Sequence, residues 1–273
     1  FCASSHPITY LGATPVFVDS EAETWNMDPV LLEEAIKDRI AKTGRKPKAI
    51  VPVALYGMPY DCERIMEVAN RYEIPVVEDA AEGFGSRFDG RVLGTFGKFG
   101  VLSFNGNKMI TTSGGGALIC EDAESKNNIM WYATQAREAY PYYQHEAIGY
   151  NYRMPNINAA VGCAQMEYLE EFVLNKRETA TKYAEFFKNM EDIEFFTEPN
   201  GCRSNYWLNA VILKDKEAQL EFLQQTNDNG VMTRPIWEIM TRLPMFEHCQ
   251  NDGLQNTIWF ADRVVNIPSS VRL

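Results

Sequence analysis

No apolar run in the 273-residue chain approaches the roughly 20 residues that a bilayer-spanning helix needs. A basic-then-apolar start of the secretory kind is missing too, so the sequence reads as cytoplasmic, with no membrane partner. Positive charge is scarce: 26 Lys and Arg stand against 37 Asp and Glu, a net −11, and no local basic cluster offsets it. That sign is wrong for a surface that neutralises a phosphate backbone, which takes nucleic acid off the list of expected partners. The three histidines do not cluster with the six cysteines (Cys2, Cys62, Cys120, Cys163, Cys202, Cys249), and no C-x-x-C pair occurs. No metal site is therefore expected, and the thiols read as buried or idle. Internal repeats and low-complexity linkers are absent, as is a G-x-G-x-x-G opening a helix after the first strand, which weakens a dinucleotide-binding reading.

What is present is an ordinary globular composition, 45% hydrophobic and 23% charged, on a chain long enough for a large α/β domain and a smaller second one. Short β-rich runs alternate with longer helical ones, the pattern of parallel strands joined by crossover helices. Pro15–Asp19 reads as a strand. Asp28-Pro29 then opens a helix, with Asp28 as N-cap and Leu31, Leu32, Ala35 and Ile36 as its apolar face. Further strands are expected at Ala49–Ala54, Pro75–Glu78, Gly100–Phe104 and Gly116–Cys120, with a helix from Cys62 to Tyr72. From Ile157 to Met190 the apolar period runs on as one long helix into the second domain. There a strand over Tyr206–Leu213 and a helix over Glu217–Gln225 resume the alternation. The expected division is residues 1–160 and residues 161–273. Phe1-Cys2-Ala3 falls inside a packed βα unit, so a further N-terminal segment is expected ahead of it.

Ligands of open parallel sheets bind beyond the carboxyl ends of the strands, so polar groups just past those ends are the first candidates. Asp79 ends one such strand and runs into Ala80–Ser86; alternatively it caps a helix. Ser103 to Lys108, followed by Thr111-Thr112-Ser113 and three glycines, forms the second place. A lysine among hydroxyls and glycines can hold a phosphorylated aldehyde as an imine while the backbone closes on the phosphate. Taken singly, that lysine is a surface charge and the glycine run is weak. The combination of an Asp after one strand with Ser and Lys after a later one is specific.

With that combination, the chain resembles the DegT/DnrJ/EryC1/StrS family of nucleotide-sugar aminotransferases. The matching segments are FCASSHPITYLGATPVF (1–17), EDAAEGFGS (78–86), SFNGNKMITTSGGG (103–116), GYNYRMPNINAA (149–160), TRPIW (233–237) and IPSS (267–270). The resemblance implies the fold-type-I α/β architecture of pyridoxal 5'-phosphate (PLP) enzymes, a large domain with a mostly parallel central sheet plus a smaller C-terminal α/β domain. It implies Lys108 as the Schiff-base lysine and proton carrier, Asp79 as partner of the pyridine nitrogen, and Glu82 near the ring hydroxyl where the family often has Gln or His. Ser103 matches a donor to the cofactor phosphate, Asn151 one that reaches the phosphate from a neighbouring subunit, and Phe1 an aromatic that stacks on the ring. Arg234 and Trp237 match the border of the sugar-nucleotide pocket; a plain structural turn is the other reading of that segment. A glycine-threonine segment that the family places upstream is not in these residues.

The activity so implied is transfer of an amino group from glutamate to a nucleotide-linked keto-sugar, by wording a UDP-4-keto-6-deoxy-N-acetylhexosamine, in a homodimer with shared active sites serving polysaccharide biosynthesis. Sugar dehydratases of the same fold carry histidine at the lysine position, and Lys108 argues against them. A second class of reading is a non-catalytic nucleotide- or phosphate-binding module, or an inactive fragment of the same fold.

Overall fold

A computed structural model of the chain describes residues 1–272. It opens on helix α1 (Cys2–Tyr10), followed by α2 (Pro29–Thr43). The Asp28 carboxylate accepts from the amides of Val30 and Leu31, and Pro29 fills the first turn where no N–H is needed. Gly44 stops α2 in the left-handed region at φ 67°. Helix α3 (Cys62–Arg71) is capped by Asp61 and buries Ile65, Val68 and Ala69, the spacing of one helix face.

Strand β1 (Val77–Asp79) comes next, then the short pair β2 (Arg87–Phe88) and β3 (Arg91–Val92), then β4 (Phe99–Ser103) and β5 (Gly116–Cys120). β1 and β4 are parallel, β4 and β5 antiparallel. The expected strand over Ala49–Ala54 lies parallel beside β1, bridged at Ile50 and Val53. Its amides at Ile50 and Ala54 bond to Pro75 and Asp79, but Pro52 has no N–H to give and the ladder stays broken. Within β4, a side chain at Gly100 would strike the Gly94 carbonyl at 1.9 Å, so glycine permits this crossing. The run from Pro15 to Asp19 is not a strand. Phe17 makes one bridge to Asn251, and buried Asp19 spends its carboxylate on Asn256 and Thr257.

Helices α4 (Ala123–Ala133), α5 (Asn156–Met166) and α6 (Leu169–Phe187) follow. The single long helix expected from Ile157 to Met190 is thus two, parted at Glu167–Tyr168. They serve different surfaces: α5 buries no residue, whereas α6 buries Val173, Lys176, Thr179, Ala180 and Phe187.

The C-terminal lobe contains β6 (Ile193–Phe195), β7 (Cys202–Arg203), β8 (Asn209–Leu213), helix α7 (Lys216–Asp228), β9 (Arg234–Pro235), α8 (Gln255–Ala261) and β10 (Val264–Ile267). Its sheet has the order β6-β8-β10-β9 and is antiparallel throughout. Successive residues of β8 face opposite ways. Val211 and Leu213 join Ala180 and Phe187 beneath the helices, while Ala210 faces Trp25, Tyr56, Met109 and Trp207. The lobe's inner face therefore closes directly over the ends of the large sheet's strands. β7 pairs with β2 and ties the two parts together.

Candidate active site

Glu78 and Asp79 are neighbours on β1 and do different work. The Glu78 carboxylate is fully buried and accepts the amides of Gly94, Phe96 and Gly97 at 2.9, 2.5 and 2.7 Å. Three backbone donors saturate it, so it locks the 94–97 turn under the sheet. Asp79, half-buried at the strand's end, accepts from the Ser4 hydroxyl at 2.5 Å and the Ala81 amide at 3.1 Å. Its place on β1 is fixed by backbone bonds to Pro52 and Ala54.

Ser103 ends β4, the parallel neighbour of β1, and the 105–115 loop hangs from there. The loop is pinned through Thr112 N–H to the Phe104 carbonyl at 2.9 Å and Thr111 N–H to Gln165 Oε1 at 2.7 Å, with Met109 and Ile110 buried. Lys108 is thereby turned inward, its side chain 10% exposed. Its Nζ stands 3.3 Å from Glu82 Oε1 and 4.2 Å from the centre of the Trp207 ring. Glu82 is buried, and its other oxygen accepts the Tyr56 amide at 2.9 Å. Desolvation holds the Glu82 carboxyl above the usual carboxylate range, against the pull of Lys108 and the Tyr56 amide.

An aromatic wall closes the other side. Trp237 packs on Phe1 with centroids 5.3 Å apart, on Tyr56 at 5.4 Å and on Trp207 at 6.3 Å. Of the expected site residues, Asp79, Glu82, Ser103 and Lys108 lie at adjacent strand ends, and Phe1 and Trp237 line up with Trp207 beside the lysine. Two others lie apart from this cluster. Arg234 turns its guanidinium to Asn227 and the Thr233 carbonyl at the end of α7, and Asn151 sits exposed, bridged to Thr134.

Three residues of the cluster were not read from the sequence: Ser4, Tyr56 and Trp207. The Ser204-Asn205-Tyr206-Trp207 run was the available signal, a polar turn leading straight into a strand. Asn205 spans the two lobes, donating to the Glu82 and Phe84 carbonyls at 2.7 and 2.9 Å. Gly57, at φ 84°, leaves the space: a Cβ there would fall 1.8 Å from Asn205 Oδ1.

An amine and two carboxylates gathered where parallel strands end, under an aromatic wall, belong to the PLP-dependent transferase class, and the fold agrees. The chain superposes over its whole length on 73% of a DegT DnrJ EryC1 StrS aminotransferase from Brucella abortus, with a TM-score of 0.93 and 27% identity. The DegT/DnrJ/EryC1/StrS aminotransferase family model matches residues 1–273, and the chain belongs to this family. It is 40% identical over 247 residues to EpsN of Bacillus subtilis (strain 168), provisionally named a pyridoxal phosphate-dependent aminotransferase. That match covers 90% of this chain and 63% of EpsN. GDP-perosamine synthase of Escherichia coli O157:H7 is 36% identical over 270 residues, covering 98% of this chain and 71% of that protein. The chain thus spans about two thirds of the length of these relatives. Among the described residues, no helix is long and apolar enough to cross a membrane.

Proposed function

We propose that the chain transfers an amino group from glutamate to a nucleotide-linked keto-sugar, with PLP held by Lys108. The observation that carries this reading is the Lys108 amine, shielded from water and facing one carboxylate, at the strand end beside Asp79. The donor set fits the cofactor: a primary amine for its aldehyde, a carboxylate for its ring nitrogen, a serine hydroxyl for its phosphate and an aromatic wall for its ring. When bound, PLP supplies an electron sink for the carbon that loses its proton.

The chain's own residues do the rest. Lys108 Nζ takes a proton from the substrate carbon and returns it, a task for a positioned amine in a dry site. Asp79 keeps a proton on the ring nitrogen by charge complementarity. Glu82 sits where it can trade a proton with Lys108, its raised affinity for a proton bringing it nearer to neutral pH. Ser103 would donate to the phosphate. Phe1 would stack on the cofactor ring, Trp237 would bound the sugar's side of the pocket, and Arg234 would meet the diphosphate after a change of rotamer.

Asn151 fits the shared-site role in a homodimer, since it lies on an exposed face with large apolar residues around it, Ile148 and Tyr152 among them. The finer substrate assignment is a UDP-4-keto-6-deoxy-N-acetylhexosamine. The similarity to GDP-perosamine synthase makes a GDP-linked sugar the alternative.

The test is a visible spectrum with added PLP, then borohydride reduction and peptide mass mapping. An adduct on Lys108 is expected, followed by glutamate-dependent amination in a screen of UDP- and GDP-linked keto-sugars. A folded chain carrying no adduct is a binding module or inactive fragment.

A further inference from the structure

Behind the aromatic wall lies a second buried lysine that the chemistry above does not use. Lys176, on α6, is 7% exposed, and its Nζ donates to the carbonyls of Trp207, at 3.0 Å, and Ser269. No carboxylate pairs with it among the described residues. A buried ammonium spent on two main-chain carbonyls is costly, so its location calls for an account.

Trp207 is fixed from three sides. Its carbonyl takes the Lys176 ammonium, its amide donates to Asn205 Oδ1 at 2.8 Å, and its indole N–H donates to the carbonyl of Asn107 at 2.6 Å. The last bond reaches the residue immediately before Lys108. The indole face then meets Lys108 Nζ at 4.2 Å, while the Trp237 ring lies near parallel to it with centroids 6.3 Å apart. The amine thus has two charge-stabilising neighbours, the Glu82 carboxylate and the Trp207 ring, and the second is held by bonds that do not involve the amine.

We propose that Trp207 is a positioning residue for the Lys108 amine, and that Lys176 acts one step behind it by holding the Trp207 backbone. The inference rests on Lys108 being the reactive amine, but it concerns this chain's own side chains and can be read without cofactor or turnover. An indole at this distance favours the charged amine and limits where it can swing. Lys176 bonds to neither the amine nor Glu82, and its hydrogen-bonded link to the amine runs through the Trp207 carbonyl.

The experiment is trace acetylation of the full chain, with Lys108 labelling quantified by peptide mass mapping across a pH series. It compares the parent with Trp207→Phe, Trp207→Leu, Lys176→Met and Lys176→Arg, each checked for folding by circular dichroism. Trp207→Leu is expected to raise Lys108 labelling about threefold to tenfold at neutral pH and to move its pH profile to lower pH. Trp207→Phe, which keeps a ring face, restores most of the parent profile. Lys176→Met is expected to move the profile the same way as Trp207→Leu, and Lys176→Arg to restore it. Direction makes this diagnostic: simple loss of a nearby positive charge would favour the charged amine and slow labelling.

An unchanged Lys108 profile in folded Trp207→Leu overturns the proposal, and unchanged or slower labelling in folded Lys176→Met removes Lys176 from it. If Lys176→Met does not fold, the Trp207 pair decides the matter alone. Failure of sugar amination with these profiles as expected counts against the proposed substrate and leaves the positioning intact.

Discussion

At the carboxyl ends of β1 and β4, polar groups are matched from within the chain: Asp79 by Ser4, Glu82 by Tyr56 and Lys108, and Trp207 by Asn107, Asn205 and Lys176. The face running from β5 through α4 to α5 is the opposite case. Neither helix buries a residue, and Ile148 and Ile157 stand 87% and 81% exposed. One region is finished by its own fold, and the other presents apolar surface that a partner would cover. The contrast separates what a single copy can organise, the amine and its neighbours, from Asn151, which we propose reaches the site of a second copy.

The strongest way to break the comparison is at its centre. Lys108→Ala should lower amino transfer by about 10²–10⁴-fold and abolish the borohydride-trapped adduct. Transfer persisting near the parent rate would remove the reactive amine from Lys108, and with it the reason for reading this cluster as the site. Lys176 tests the same region through pH. Desolvation lowers its pKa from 10.5 to about 8. Below about 8 both folded and unfolded chains carry its proton. Between about 8 and 10.5 the unfolded chain holds the proton and the folded one does not, so stability rises with pH across that window. The rise amounts to about 3 kcal/mol for this one group. Denaturant unfolding of Lys176→Met should lack it, and parallel pH curves for the parent and variant would contradict a desolvated ammonium.

Much of the finished region was legible beforehand, because local chemistry and tertiary role coincide there. Asp28-Pro29 caps a helix wherever it stands, and a carboxylate after one strand with a lysine after its neighbour is brought together by parallel pairing itself. Pro15–Asp19 misled because its β-rich pattern describes a segment whose partners lie in the C-terminal lobe, more than 230 residues away. Ile157–Met190 misled for the converse reason. Its apolar period is real, but α5 touches its own chain mainly through Asn158, Gly162 and Gln165 against Thr111 and Thr112 and leaves Ile157, Val161 and Met166 exposed, and the pattern alone does not tell a buried stripe from an exposed one. Trp207 was missed because its role depends on a lobe closing over Lys108, which no local spacing records.

Glu78 and Asp79 sharpen the contrast at the scale of one bond along the chain. Glu78→Gln keeps the shape but loses the charge and turns an NH2 group towards at least one of the three backbone N–H donors, and should cost about 2 kcal/mol in unfolding free energy. Asp79→Asn, half-buried with two donors, should leave unfolding nearly unchanged while lowering transfer. The reverse assignment would mean that the buried carboxylate, not the strand-end one, serves chemistry.

The smallest expected effect on the folded chain is at the unfinished face. Ile157→Asp puts a charge on a residue of α5 that touches little of its own chain, so the unfolding free energy should change by no more than about 0.5 kcal/mol. The same charge at the centre of a dimer interface would be buried without a partner, a cost large enough to split the dimer. Sedimentation of the parent and Ile157→Asp at matched concentration should therefore show a dimer giving way to a monomer with unchanged melting. A variant that remains dimeric would place the second copy elsewhere, and Asn151 would then have no neighbouring site to reach.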